Sequence, residues 1–166
     1  MMGKPFAVGR KKNLCKYELY RLAFKMINDG LSRNCPLQSI AIEESILTDR
    51  LSSTLNVDDP KGLPFDSLGK ALWAWRPKRG KPVANAALFD EEMGALYSHL
   101  DDWRRERNEL LHSIAKSSQG EEPVIAEEEF MPRAMKAATE GYVLVRKVDA
   151  WTKRQIRKAA KFNIGK

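Results

Sequence analysis

Apolar residues recur along this chain at intervals of three and four, and almost nowhere alternate. That spacing puts one apolar stripe on each of several helices, which must bury their stripes against one another. In the longest such segment, Leu96, Leu100, Trp103, Leu110 and Ile114 fall on one stripe. Gly141–Val145 is the one β-branched candidate for a strand, and its helical flanks outweigh it. The sequence therefore predicts an all-α protein, an up-and-down bundle of about five helices.

Breaker residues divide the chain. A first helix is expected over roughly Tyr17–Leu31, with Leu19, Leu22, Ala23, Met26 and Ile27 as its apolar stripe. Asp29-Gly30 and Ser32–Asn34 end it. A second helix is expected over about Pro36–Leu55, with Pro36 suited to the first turn. Asn56–Pro64 reads as a loop, followed by a short third helix over about Phe65–Trp75 with Leu68, Leu72 and Trp75 on one face. Arg76–Pro82 is a basic, breaker-rich loop, either solvated or touching phosphate. The fourth helix is expected over about Ala86–Lys116, and Ser117–Ala126 reads as a polar loop. The fifth is expected to begin near Glu127–Pro132 and to reach about Ala160, its acidic start and basic end matching the helix dipole.

At 166 residues the chain suits one domain, with a core over about 17–150 and basic N- and C-terminal ends. No run of about 18 apolar residues exists, so no membrane span is expected. The first residues lack the apolar segment of a signal peptide. Cys15 and Cys35 are too few and unpatterned for a disulfide framework or a zinc site. These features point to a cytoplasmic protein with free thiols and no metal or cofactor.

Charge is unevenly placed. The net charge is +7, yet residues 1–16 carry five Lys/Arg and no acid, and residues 146–166 carry eight Lys/Arg against Asp149 alone. The body between the two basic ends is acidic. Such ends can attract a polyanion by counterion release or can be solvated termini. Arg104, Lys153, Arg154, Arg157 and Lys158 are the candidate RNA-contacting cations. Trp73, Trp75 and Trp151 are able to stack on bases, although tryptophans on helix faces more often fill cores.

The chain has two histidines, His99 and His112. His99 falls off the stripe that carries the candidate site and reads as structural or exposed. His112 belongs to Arg107-Asn108-Glu109-Leu110-Leu111-His112, inside the fourth helix. Arg107 interrupts the apolar stripe between Trp103 and Leu110, and a long helix rarely aims an arginine at a core without a partner. Asn108 lies one turn before His112 on one face. A histidine can move a proton near neutral pH, and a guanidinium matches negative charge gathering on phosphate oxygens. The bare spacing favours the structural reading, with Arg107 paired to a carboxylate at a helix contact and His112 as a surface histidine.

On the second helix, Ile40, Glu44, Leu47 and Leu51 share a stripe, which sets a glutamate on the core-facing side. A buried carboxylate needs a partner, and Arg107 is the natural one, with local pairing to Thr48 as the alternative. Glu43 and Asp49 read as solvated helix charges.

The Arg107–His112 segment resembles the R-N-x-x-x-H signature of the HEPN superfamily of all-helical proteins, many of which are metal-independent ribonucleases. The Glu44 helix is similar to the acidic helix that packs against the motif helix in that family. The resemblance spans about residues 17–150, with specific residues on these two helices. It implies a metal-independent endoribonuclease in which two protomers pack their motif helices into one composite cleft. Arg107, Asn108 and His112 would be catalytic and Glu44 supporting. The RNA would be cut by 2′-hydroxyl attack. Arg105, with six residues between it and His112, meets the broader family spacing and is the second choice for the phosphate-binding arginine. The resemblance implies RNA as substrate, a homodimer, and a toxin or phage-defence role with an antitoxin or regulatory protein as a further partner. Some HEPN toxins carry a tyrosine two positions after the histidine, which their antitoxin modifies. Ile114 stands there, which puts that route in doubt. A non-catalytic HEPN-like module that binds RNA, a nucleotide or a protein is the alternative, and a plain helical interaction domain is the third reading.

Overall fold

The computed structural model describes residues 6–55, 65–75, 91–115 and 125–164. The loops expected at Asn56–Pro64 and Arg76–Pro82, the start of the fourth helix before Glu91, and most of the Ser117–Ala126 loop lie outside the described residues. Five helices follow in order: α1 (Phe6–Ser32), α2 (Pro36–Leu55), α3 (Leu68–Trp75), α4 (Glu91–Ala115) and α5 (Glu127–Ile164). Among the described residues there is no strand, and the fold is an all-α helical bundle. No helix is long and apolar enough to cross a membrane among the residues described.

Local chemistry sets the boundaries. Asn34 adopts φ 57°, the left-handed conformation that asparagine tolerates better than most side chains. The Cys35 amide then donates back to the Gly30 carbonyl at 2.7 Å and the Arg33 amide to the Asp29 carbonyl at 3.0 Å, which closes the last turn of α1. Pro36 opens α2, where its missing N–H costs nothing. The Ser67 hydroxyl accepts from the Lys70 amide at 3.3 Å and caps α3.

α2 lies at the centre, packing most extensively on α5 and also on α1 and α3, while α4 packs on α5 and α3. Ile40, Leu47 and Leu51 are fully buried, as their stripe implies. Trp75 and Trp151 are also fully buried, with ring centroids 5.3 Å apart in an edge-to-face pair. The Trp75 indole N–H reaches the Leu51 carbonyl at 3.4 Å, so α2, α3 and α5 meet at these two rings. Trp73, by contrast, is exposed.

α1 begins at Phe6 and not near Tyr17 as expected, and three expected burial patterns also need correction. On α1 the buried face is Tyr20, Ala23, Phe24, Ile27 and Leu31, whereas Leu19, Leu22 and Met26 point outward. Two apolar stripes lie side by side on this helix, and aromatic Tyr20 and Phe24 pack inward. On α4, Leu96, Leu100, Trp103 and Leu110 are buried but Ile114 is exposed, since the stripe drifts as the helix ends. On α2, Glu43 is not solvated: it is fully buried, and neither carboxylate oxygen has a hydrogen-bond partner.

Glu43 lies where α2, α4 and α5 converge. Gly141 of α5 sits against it, and a Cβ added there would stand 2.1 Å from Glu43 Oε2 and 2.8 Å from the Trp103 ring. The glycine is thus a packing residue that lets three helices approach. Trp103 fills the adjoining space and donates its indole N–H to the Ala137 carbonyl at 2.7 Å. Burial pushes the Glu43 carboxyl up to about 8, so it is mostly protonated at neutral pH.

Candidate functional site on the fourth helix

Arg107 lies on the face of α4 that looks toward α2. Its guanidinium is ion-paired to Glu44, and the same guanidinium donates from NH1 to Asn108 Oδ1 at 2.5 Å. Both charged side chains are about one-fifth exposed. Thr48, the alternative partner of Glu44, makes no side-chain hydrogen bond with its hydroxyl. Burial pulls the Arg107 guanidinium below its usual range, which for an arginine leaves the charge in place. Glu44 and Arg107 line a depression of about 460 Å³ with Thr48, Asp49, Phe65 and Asp66.

His112 faces elsewhere. It is exposed, and five residues at 3.6 per turn set it about 140° round the helix from Arg107. It lines a different depression, of about 450 Å³, with Asp102, Arg105, Glu106, Asn108 and Glu109. Within one chain, therefore, Arg107 and His112 do not share a cleft, and Asn108 is the residue that touches both environments. Arg105 does share the depression of His112. It precedes His112 by two helical turns, about 10.5 Å along the axis. Arg107 is held inward by Glu44, whereas Arg105 lines the same depression as the histidine.

The acids around His112 are mostly engaged. Arg133 of α5 reaches Glu106 with two donors, each at 2.9 Å, and Glu109 at 2.5 Å. The paired hydrogen bonds from Arg133 hold the Glu106 carboxyl below its ordinary range. Asp101 accepts from Arg104 and Arg105, both at 2.8 Å. Partial burial pulls the Asp101 carboxyl upward, but the two arginines outweigh it and hold it low. Arg105 keeps 70% of its side chain exposed, and its bond to Asp101 is a surface pair worth little. It can be recruited to a phosphate at small cost.

His99 is exposed and lines a larger groove of about 650 Å³ between α4 and α5, with Trp103 and Leu144 in its floor and Arg133, Lys136 and Lys147 on its rim. Asp102 and Glu106 border both this groove and the His112 depression.

Three of the five candidate RNA-contacting cations are held in ion pairs. Arg104 is tied to Asp101 on its own helix. Lys153 bonds Asp149 at 2.6 Å, and Arg154, one residue on, pairs with Glu92 of α4. Arg157 and Lys158 are exposed. Cys15 and Cys35 are free and exposed. No group of three or more His, Cys, Asp or Glu side chains is placed to hold a metal ion among the described residues.

Sequence reasoning missed two features. Glu43 passed for a solvated helix charge; the signal was Gly141, an isolated glycine inside a strong helical pattern. The other is a basic and aromatic pocket formed by α1, α2 and α5, described below. No protein-family model, curated protein or solved structure matches this chain.

Proposed function

We propose that this protein is a metal-independent endoribonuclease of HEPN type, acting as a homodimer whose two α4 helices pair to form one cleft. The observation that carries the reading is the exposed depression in which Arg105, Asn108 and His112 stand together on α4. In the proposed reaction one His112 takes the proton from the 2′-hydroxyl, and the 2′-oxygen attacks the adjacent phosphorus. The bond to the 5′-oxygen breaks, and the His112 of the second protomer protonates that oxygen. A 2′,3′-cyclic phosphate and a free 5′-hydroxyl result. Arg105 meets the charge gathering on the phosphate oxygens. Arg107 serves as a positioning residue: anchored on Glu44, it fixes the amide of Asn108 one turn before His112. A toxin or phage-defence setting, restrained by an antitoxin or regulatory protein, follows from the sequence resemblance alone.

The alternative is a non-catalytic module that binds RNA, a nucleotide or a protein; the acidic rim of Asp102, Glu106 and Glu109 around the histidine favours its protein-binding form, because carboxylates repel phosphate. Incubation of RNA with purified protein in excess EDTA separates the two. Cleavage with a cyclic-phosphate end supports the nuclease, and binding with the strand left intact supports the module.

A further inference from the structure

One lysine from each basic end of the chain meets the other in the fold. Lys16, from the N-terminal basic run, and Lys153, from the C-terminal one, both line a pocket of about 420 Å³ where α1, α2 and α5 join. Tyr17 and Arg21 of α1 and Arg50 of α2 complete its rim.

This pocket is built rather than incidental. The Arg50 guanidinium lies 4.0 Å from the centre of the Tyr20 ring and is tethered to Asp149 at 2.6 Å, with its side chain only 15% exposed. Its Nε–H is buried and has no partner. The Tyr20 hydroxyl donates to Asp49, which also receives the Lys16 ammonium at 2.9 Å. Burial, reinforced by that Asp49 bond, keeps the Tyr20 phenol protonated. Asp149, which is mostly buried, and Asp49, at the edge, hold the pocket's shape through these bonds. Lys16, Arg21, Arg50 and Lys153 outnumber the acids they pair with four to three, the third being Glu18, which meets Arg21 at 3.2 Å. Lys16 and Lys153 are each about half exposed, so their ammonium groups are within reach of an incoming anion.

Tyr17 decides the ligand. Its ring is 63% exposed and stands in sequence next to Lys16. An acidic peptide would use the cations and leave that ring idle. A strand with phosphates and unpaired bases uses both, since a base stacks on an aromatic face while its phosphates meet the lysines. We infer that the α1–α2–α5 pocket is a single-stranded RNA-binding site, separate from the His112 depression on α4. The choice of RNA over DNA rests on the proposed nuclease reading; the recognition of a phosphate-bearing strand does not.

The test is binding of a fluorescein-labelled 2′-O-methyl oligouridylate of about 12 nucleotides, which 2′-hydroxyl attack cannot cleave, followed by anisotropy over a range of salt. Full-length protein is compared with Tyr17→Ala, with the Lys16→Ala/Lys153→Ala double variant, and with Lys136→Ala as an exposed control on α5. Wild type and the control should bind alike. Tyr17→Ala should bind about tenfold more weakly, with Tyr17→Phe restoring affinity. The double variant should lose at least about tenfold, and its log–log salt slope should fall by about 1.4. Circular dichroism checks that each variant is folded. A double variant that binds within twofold of wild type with an unchanged slope overturns the site, as does UMP binding as tightly as the strand. Protein that binds the strand here yet never cuts RNA leaves this site standing and removes the nuclease.

Discussion

Arg107 of α4 is ion-paired to Glu44 of α2, and the same guanidinium donates to Asn108. One side chain thereby joins two helices and orients the residue next to it. Its work is done inside the protomer, whereas Arg105 and His112 look outward.

This division separates stability from activity. Arg107→Ala leaves the Glu44 carboxylate half-buried without its partner, and thermal or urea unfolding should show a loss of about 2 kcal/mol. Adding Glu44→Gln should recover part of that loss, because the stranded charge is gone. A double-mutant cycle with no coupling between the two positions would contradict the pairing.

Arg105→Ala should behave in the opposite way. Removing a mostly exposed arginine should change stability by less than about 0.5 kcal/mol. RNA cleavage should fall about a hundredfold if this guanidinium stabilises the transition state. Single-turnover cleavage on the folded variant measures it, and an unchanged rate would return the phosphate-binding role to Arg107.

Glu43 gives the fold a pH dependence. Its carboxyl titrates near 8 in the folded protein against about 4.5 ordinarily. Between those values the folded state holds a proton that the unfolded state has lost, so this group makes stability fall as pH rises. The slope approaches about 1.4 kcal/mol per pH unit and vanishes below 4.5 and above 8. Glu43→Gln should flatten that part of the curve and raise the melting temperature at pH 8 relative to wild type, with little difference at pH 4. An identical pH profile in wild type and variant would show that Glu43 does not titrate this way.

Gly141→Ala should destabilise, although alanine is the better helix former by about 1 kcal/mol. The new methyl would collide with Glu43 Oε2 and with the Trp103 ring. A net loss of about 1–3 kcal/mol in chemical denaturation is expected. A gain would mean that the three helices are more loosely packed at this point.

Much of the helical plan could be read from the sequence because apolar spacing and breakers agree. Pro36, Asn34 and the Glu127–Glu129 run mark ends that the structure keeps. The choice of buried face was less legible where a helix carries two apolar stripes, as with Leu19, Leu22 and Met26 beside Tyr20, Phe24 and Ile27. For the central helix α2, periodicity misled in another way. A helix packed on several sides buries more than one stripe, so Glu43 goes inside although Glu44 already marks a core-facing position. The contact of Glu44 with Arg107 was legible, since each was a charge interrupting an apolar stripe. The company of His112 was not, because an arginine five positions away and one seven positions away differ by a large rotation about the helix. The α1–α2–α5 pocket joins residues more than a hundred positions apart, and only the tertiary fold brings them together.

His112 is the residue proposed to move a proton in RNA cleavage. The most direct measurement is the cleavage rate of a short single-stranded RNA in excess EDTA by wild type and by folded His112→Ala protein, with the product ends identified. The wild type should leave a 2′,3′-cyclic phosphate, His112→Ala should be at least ~100-fold slower, and a cut site carrying a 2′-deoxy sugar should not be cleaved. His112→Ala protein that cuts at the wild-type rate, or cleavage of the deoxy site, would contradict it.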